Sequence, residues 1–135
     1  MSDVSAQLSG RRILLVEDEY VLAEIIEEWL CQAGAEVVGP VPNVEQALKL
    51  IDTEVGGLDG AVLDMNLGRG ETVYPVADRL NELGVPYLFA TGDVPNGGVR
   101  ALDGLAHRER TRLEKPILRD DLLKAVGELL ARRSG

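Results

Sequence analysis

The sequence predicts an open, doubly wound α/β fold built on a parallel sheet, and three observations carry that prediction. Short apolar runs without polar alternation recur along the chain, the pattern of strands buried on both faces. Between them lie stretches whose apolar residues return every three or four positions, as on helices with one buried side. Acidic or polar residues then stand at the carboxyl ends of the runs: Glu17 and Asp18 after Ile13-Leu14-Leu15-Val16, and Asp64 after Ala61-Val62-Leu63. Strand and helix alternate five times, so right-handed crossovers bring the strands' carboxyl ends to one rim, where such folds bind ligands.

Each element has its own local reason. Ile13 to Val16 is a continuous apolar run and reads as the first strand. The first helix follows, with Val21, Leu22, Ile25, Ile26, Trp29 and Leu30 as one apolar stripe, Glu24, Glu27 and Glu28 on the wet side, and Gly34 at its end. Trp29 lies in that stripe and reads as core. Glu36-Val37-Val38-Gly39 is a short second strand. Asn43 opens the second helix with Gln46 three residues on, a capping-box pattern, and Val44, Ala47, Leu48 and Ile51 form its inner face. Leu58 to Leu63 is the third strand and ends at Asp64. A loop from Met65 to Glu71 leads to a helix through Val73, Val76, Ala77, Leu80 and Leu83, closed by Gly84. Tyr87-Leu88-Phe89-Ala90 is the fourth strand, ending at Thr91. Gly92, Pro95, Gly97, Gly98 and Gly104 oppose helix in the next stretch, so a short or mobile fourth helix is expected there. A fifth strand near Thr111 to Glu114 has only Leu113 as an apolar anchor. The last helix runs from Leu118 to Arg132 with Leu122, Leu123, Val126, Leu129 and Leu130 inward.

Length and composition bound the rest. A chain of 135 residues with 45% apolar content suits one domain with one core. Residues 1–10 carry Asp3 and small polar side chains and lack the basic and apolar regions of a signal peptide. They read as a disordered lead to a domain over 11–132. No apolar stretch is long enough to span a membrane, and cytoplasm is the default location. The net charge of −9, from 23 acids against 14 bases, repels phosphate backbones and disfavours nucleic-acid binding. The bases Arg100, Arg108, Arg110, Arg112, Lys115 and Arg119 crowd one region, either as a solvated face or as a docking face for an acidic partner. Cys31 excludes an internal disulfide and reads as core filler rather than a reactive thiol. His107, the only histidine, reads as a surface residue.

Every candidate polar group falls at the one rim: Glu17 and Asp18 after strand one, Asp64 after strand three, Thr91 after strand four and Lys115 after strand five. Taken singly, each has an ordinary explanation as a helix cap, strand end, turn residue or solvated base. Acids gathered that closely repel one another unless a cation joins them. An oxygen-only donor set with water nearby suits Mg²⁺.

The joint set resembles the receiver domains of two-component response regulators. The matching segments are Leu15-Val16-Glu17-Asp18-Glu19, Val62-Leu63-Asp64-Met65-Asn66-Leu67, Phe89-Ala90-Thr91-Gly92 and Glu114-Lys115-Pro116, and the resemblance spans Arg11 to Ala131. It implies a flavodoxin-like five-stranded parallel sheet in the order 2-1-3-4-5. It implies that Asp64 accepts a phosphoryl group from a histidine kinase or histidine phosphotransferase. Asp18, Asp64 and the backbone carbonyl of Asn66 would hold Mg²⁺, with Glu17 helping directly or through water. Thr91 and Lys115 would contact phosphoryl oxygens, and Pro116 would permit a cis bond that aims Lys115 inward. Asn66 and Asp93, two residues beyond Asp64 and Thr91, would orient a water and set a fairly quick self-dephosphorylation.

Phe89-Ala90-Thr91-Gly92 and the loop Asn66-Leu67-Gly68-Arg69-Gly70-Glu71 are also similar to a narrower group, the stand-alone receivers of alphaproteobacteria that carry a Phe-Ala-Thr-Gly signature. One position departs from the family pattern. Arg112 stands three residues before Lys115, where most receivers carry the aromatic residue that moves with the threonine. The expected function is therefore that of a stand-alone receiver, not an enzyme on other molecules, that signals to a downstream protein by an altered route. The alternative is a degenerate receiver that binds protein without phosphorylation. A small phosphatase is disfavoured because Asn66 stands where such enzymes place a general acid. A flavin carrier is disfavoured because Glu17-Asp18-Glu19 repels its phosphate.

Overall fold

The structure is a computed structural model that describes residues 7–54, 56–65, 67, 72–91, 112–114 and 117–134 of the chain. Four parallel strands form the body of the sheet: β1 Arg12–Val16, β2 Glu36–Val41, β3 Gly60–Asp64 and β4 Tyr87–Thr91. Their spatial order is β2-β1-β3-β4, and a three-residue strand, β5 Arg112–Glu114, pairs with β4 at the edge. The helices are α1 Tyr20–Gln32, α2 Val44–Thr53, α3 Tyr74–Leu83 and a C-terminal helix Arg119–Ser134. The stretch expected to hold a short fourth helix, residues 92–111, lies outside the described residues.

Period-two alternation in the strands divides the core into two layers. Ile13, Leu15, Val62, Leu88 and Ala90 face α1 and the C-terminal helix, where Ile26, Leu30, Leu122 and Val126 meet them. Leu14, Val16, Ala61, Leu63, Tyr87 and Phe89 face α2 and α3, against Ala47, Ile51, Val76 and Leu80. Every residue of β3 is buried, which is why its sequence shows no polar alternation.

Three sequence expectations are corrected. The inner face of α1 consists of Ala23, Ile26 and Leu30, with Leu22 and Trp29 partly buried against the core. Val21 is 65% and Ile25 38% exposed. At about 100° per residue, Ile25 sits roughly 100° and Val21 roughly 140° from Ile26, so the stripe is narrower than the count of apolar residues implies. Packing against the domain also extends before Arg11. Leu8 is fully buried in the layer beneath α1 and the C-terminal helix, and the Gly10 amide donates to the Gly34 carbonyl at 2.8 Å. A single leucine among polar neighbours carries no periodicity, so sequence assigned it to a disordered lead. Cys31, read as core filler, is exposed.

Strand β2 runs past Gly39 to Val41, with a cis bond at Gly39-Pro40 and a shift of register. Leu14 pairs with Val38, yet Val16 pairs with Val41, so Gly39 and Pro40 together face Leu15. The end of α2 nearest the site is capped as the sequence predicts: the Asn43 Oδ1 accepts from the Gln46 amide at 2.8 Å. Asn43→Ala is expected to cost about 1 kcal/mol, read as a lower urea midpoint at unchanged slope. Gly84 ends α3 with φ 73°, the left-handed cap that glycine adopts freely.

Candidate functional site

The acids are placed by two neighbouring strands that run out together. Val16 pairs with Leu63 across the parallel β1–β3 ladder, so Glu17 and Asp64 each stand one residue beyond the same rung. Asp18 follows Glu17 at the approach to α1. Carboxylate oxygens of Glu17, Asp18 and Asp64 all lie within 4.8 Å of one another. Glu17 is 3% and Asp64 2% exposed, whereas Asp18 faces solvent. Two acids are thus nearly sealed in protein, and the third closes the cluster from the water side.

The backbone around this cluster is pinned. The Glu17 amide donates to the Val41 carbonyl at 3.0 Å, tying the end of β1 to the end of β2. The Glu17 Oε2 accepts from the Glu19 amide at 3.2 Å, which fixes one carboxylate oxygen at the start of α1. On the other side the Met65 amide donates to the Ala90 carbonyl at 3.0 Å, and Asp64 pairs with Ala90. The backbone of Thr91 is the next step along β4 and pairs with Glu114, the residue before Lys115.

The structure therefore brings Glu17, Asp18 and Asp64 together and sets the backbone of Thr91 at the same rim. Arg112 lies on β5 opposite Phe89. Asn66, Asp93, Lys115 and Pro116 lie outside the described residues. The donor set is of carboxylates only, which fits a hard divalent cation that keeps waters and takes further oxygens. Three anions at this spacing, two without solvent, make positive charge favourable at their centre.

Two features of the site were not read from the sequence. One is the Val41 carbonyl as partner of the Glu17 amide, which depends on the bulge; the Gly39-Pro40 dipeptide is the signal that pointed to it. The other is the aromatic packing behind the rim. Phe89 meets Tyr74 at 6.1 Å and Tyr87 at 5.5 Å between ring centroids, both edge to face.

No protein-family model matches the chain, and neither does any curated protein. Solved structures do. SdrG from Sphingomonas melonis Fr1 is 37% identical, with 96% of this chain and 99% of that one covered and a TM-score of 0.72. A response regulator receiver protein from Sinorhizobium medicae WSM419 is 26% identical, with 93% and 98% covered and a TM-score of 0.77. The response regulator PhyR from Brucella abortus shares the fold at 21% identity and a TM-score of 0.79, and this chain spans 52% of its length.

Proposed function

We propose that this chain, which belongs to the receiver-domain family of response regulators, accepts a phosphoryl group on Asp64 and signals through protein contacts that depend on it. The observation that carries the reading is the convergence of Glu17, Asp18 and Asp64 at the ends of β1 and β3. The donor would be the phosphohistidine of a histidine kinase or histidine phosphotransferase. A carboxylate oxygen of Asp64 attacks phosphorus, the P–N bond to the imidazole breaks, and the released imidazole takes up a proton. Asp64 then carries an acyl phosphate, which water returns to carboxylate and inorganic phosphate. A carboxylate is a weak nucleophile towards phosphorus, so positioning and charge neutralisation supply most of the rate.

Glu17, Asp18, Asp64 and the backbone carbonyl of Asn66 would hold Mg²⁺. When bound, Mg²⁺ neutralises charge on the phosphoryl oxygens. Lys115 would present an ammonium to another oxygen and the Thr91 hydroxyl would donate to a third. Pro116 would aim Lys115 through a cis bond. With Arg112 at the usual aromatic position, the signal would leave by a route other than the threonine–aromatic pair. The Phe89-Ala90-Thr91-Gly92 segment supports membership of the stand-alone alphaproteobacterial group. No helix among the described residues is long and apolar enough to cross a membrane.

The test is incubation with Mg²⁺ and a small phosphodonor, followed by intact-mass measurement. The expected result is one added phosphoryl group on the wild type, absent without Mg²⁺ and absent in Asp64→Ala. No gain on the wild type would leave the phosphorylation-independent binding module. A second prediction concerns lifetime. Asn66→Ala and Asp93→Ala should each slow the decay of phospho-Asp64 about tenfold, since the attacking water is then less well held in line with phosphorus. Unchanged decay in both would remove these residues from the hydrolysis step.

A further inference from the structure

We propose that the Gly39-Pro40 bulge of β2 is a positioning device for the cation site, acting on Glu17 through the carbonyl of Val41. The inference rests on the reading of Glu17, Asp18 and Asp64 as that site.

Strand β2 is an edge strand, paired only with β1 among the described strands. Its first rungs hold one register, Arg12 with Glu36, Ile13 with Val37 and Leu14 with Val38. Continued unchanged, that register would set Pro40 against Val16, and a proline has no amide hydrogen for the ladder. The extra residue at Gly39-Pro40 instead brings Val41 against Val16. From there the Val41 carbonyl accepts the Glu17 amide at 3.0 Å. Bulges of this kind re-aim a strand end, and edge strands accommodate proline at them.

Gly39 is the residue that permits this path. Its φ is 105°, a conformation that L side chains rarely adopt. A Cβ there would stand 2.9 Å from the Leu15 carbonyl oxygen and 3.1 Å from the Val41 nitrogen. Both neighbours are backbone, so neither can swing aside as a flexible side chain would. An alanine must therefore push β2 away from β1 or abolish the bulge, and either movement takes the Val41 carbonyl off Glu17.

Among the bonds that hold Glu17 are that of its amide to the Val41 carbonyl and that of its Oε2 to the Glu19 amide. The first anchor fixes where the side chain departs, and the second fixes one of its oxygens. Releasing the first lets the buried carboxylate drift from Asp18 and Asp64. Gly39 and Val41 are not among the acids of the cluster, so they are positioning residues. Loss of such an outer partner typically lowers metal affinity at least tenfold.

The experiment has a metal-free arm and a metal arm. Hydrogen exchange of the metal-free wild type should show the Glu17 amide protected like the amides within β1. A freely exchanging Glu17 amide overturns the proposal without recourse to any variant. In Gly39→Ala that amide should exchange faster, and Mg²⁺ affinity measured by titration calorimetry should fall about tenfold. Leu8→Ala is the control for mere destabilisation: it empties a core position at the opposite end of β1 and should leave Mg²⁺ affinity unchanged. Equal affinity in wild type and Gly39→Ala, or an equal loss in Leu8→Ala, overturns the inference and leaves the cation site standing. A wild type that binds no Mg²⁺ overturns the site reading, and this inference with it.

Discussion

Asp64→Asn is expected to lose phosphoryl uptake entirely while making the metal-free protein more stable. The asparagine keeps the size of the side chain and removes one of three negative charges whose oxygens lie within 4.8 Å of one another. Glu17 and Asp64 are both nearly sealed from water, so solvent screens their repulsion poorly. At an effective dielectric constant of about 20, two unit charges about 4 Å apart repel by about 4 kcal/mol. Relaxation and the exposure of Asp18 reduce the net gain to about 1–3 kcal/mol. Urea unfolding in the presence of a chelator measures it. Mg²⁺ should then narrow the gap or reverse the ranking. At a concentration about a hundred times its dissociation constant, it stabilises the wild type by about 2.7 kcal/mol and the variant by much less. A metal-free Asp64→Asn less stable than the wild type would show that the three acids are held in place by their neighbours rather than strained against one another.

The same acids explain why the site was legible in the sequence. Each follows an apolar run with no alternation, and in a parallel sheet that pattern places its end at one rim with the ends of its neighbours. Burial on both faces of β1 and β3 is therefore written locally, in Leu14, Leu15, Val16, Ala61, Val62 and Leu63. The order β2-β1-β3-β4 was implied by the resemblance to receiver domains, because the alternation of strand and helix is shared by sheets of other strand order.

What was not legible depended on partners distant in the chain. Leu8 is buried because α1 and the C-terminal helix cover it, and nothing adjacent in sequence announces that. Val21 and Ile25 count as apolar on any scale, yet helix geometry turns them from the stripe that Ala23, Ile26 and Leu30 define. Arg12 holds Glu54 at 2.6 Å and Glu36 at 3.4 Å, and its guanidinium pKa is raised mainly by the hydrogen bond to Glu54. That clamp joins β1 to the end of α2 across 42 residues. The bulge at Gly39 belongs with these cases. Glu36-Val37-Val38-Gly39 read as the whole strand, whereas the pairing with β1 continues beyond it to Val41.

Phe89→Ala carries the largest expected loss of stability and tests whether the rim depends on the packing behind it. Phe89 is fully buried, and its ring meets the edges or faces of both Tyr74 and Tyr87. Tyr87 is itself fixed, since the Asn81 Nδ2 donates to its hydroxyl at 3.0 Å. Truncation removes a large apolar surface and leaves a cavity that these anchored neighbours fill poorly, for about 3–5 kcal/mol. Two lost aromatic pairs at about 0.5–1.5 kcal/mol each place the value towards the upper end. Urea unfolding gives the number. Leu88→Ala, on the other face of the same strand, removes no ring–ring pair and is expected to cost less. The two should differ in function as well. Phe89 pairs with Leu63, one rung before Asp64 with Ala90. A collapse around residue 89 thus displaces the backbone that carries Asp64, while a cavity under Leu88 opens towards α1 and the C-terminal helix. Under conditions where all variants are folded, phosphoryl uptake should be slowed in Phe89→Ala and close to wild type in Leu88→Ala. The milder Phe89→Leu should recover most of it. Equal rates in all three would separate the rim's chemistry from the aromatic layer beneath it.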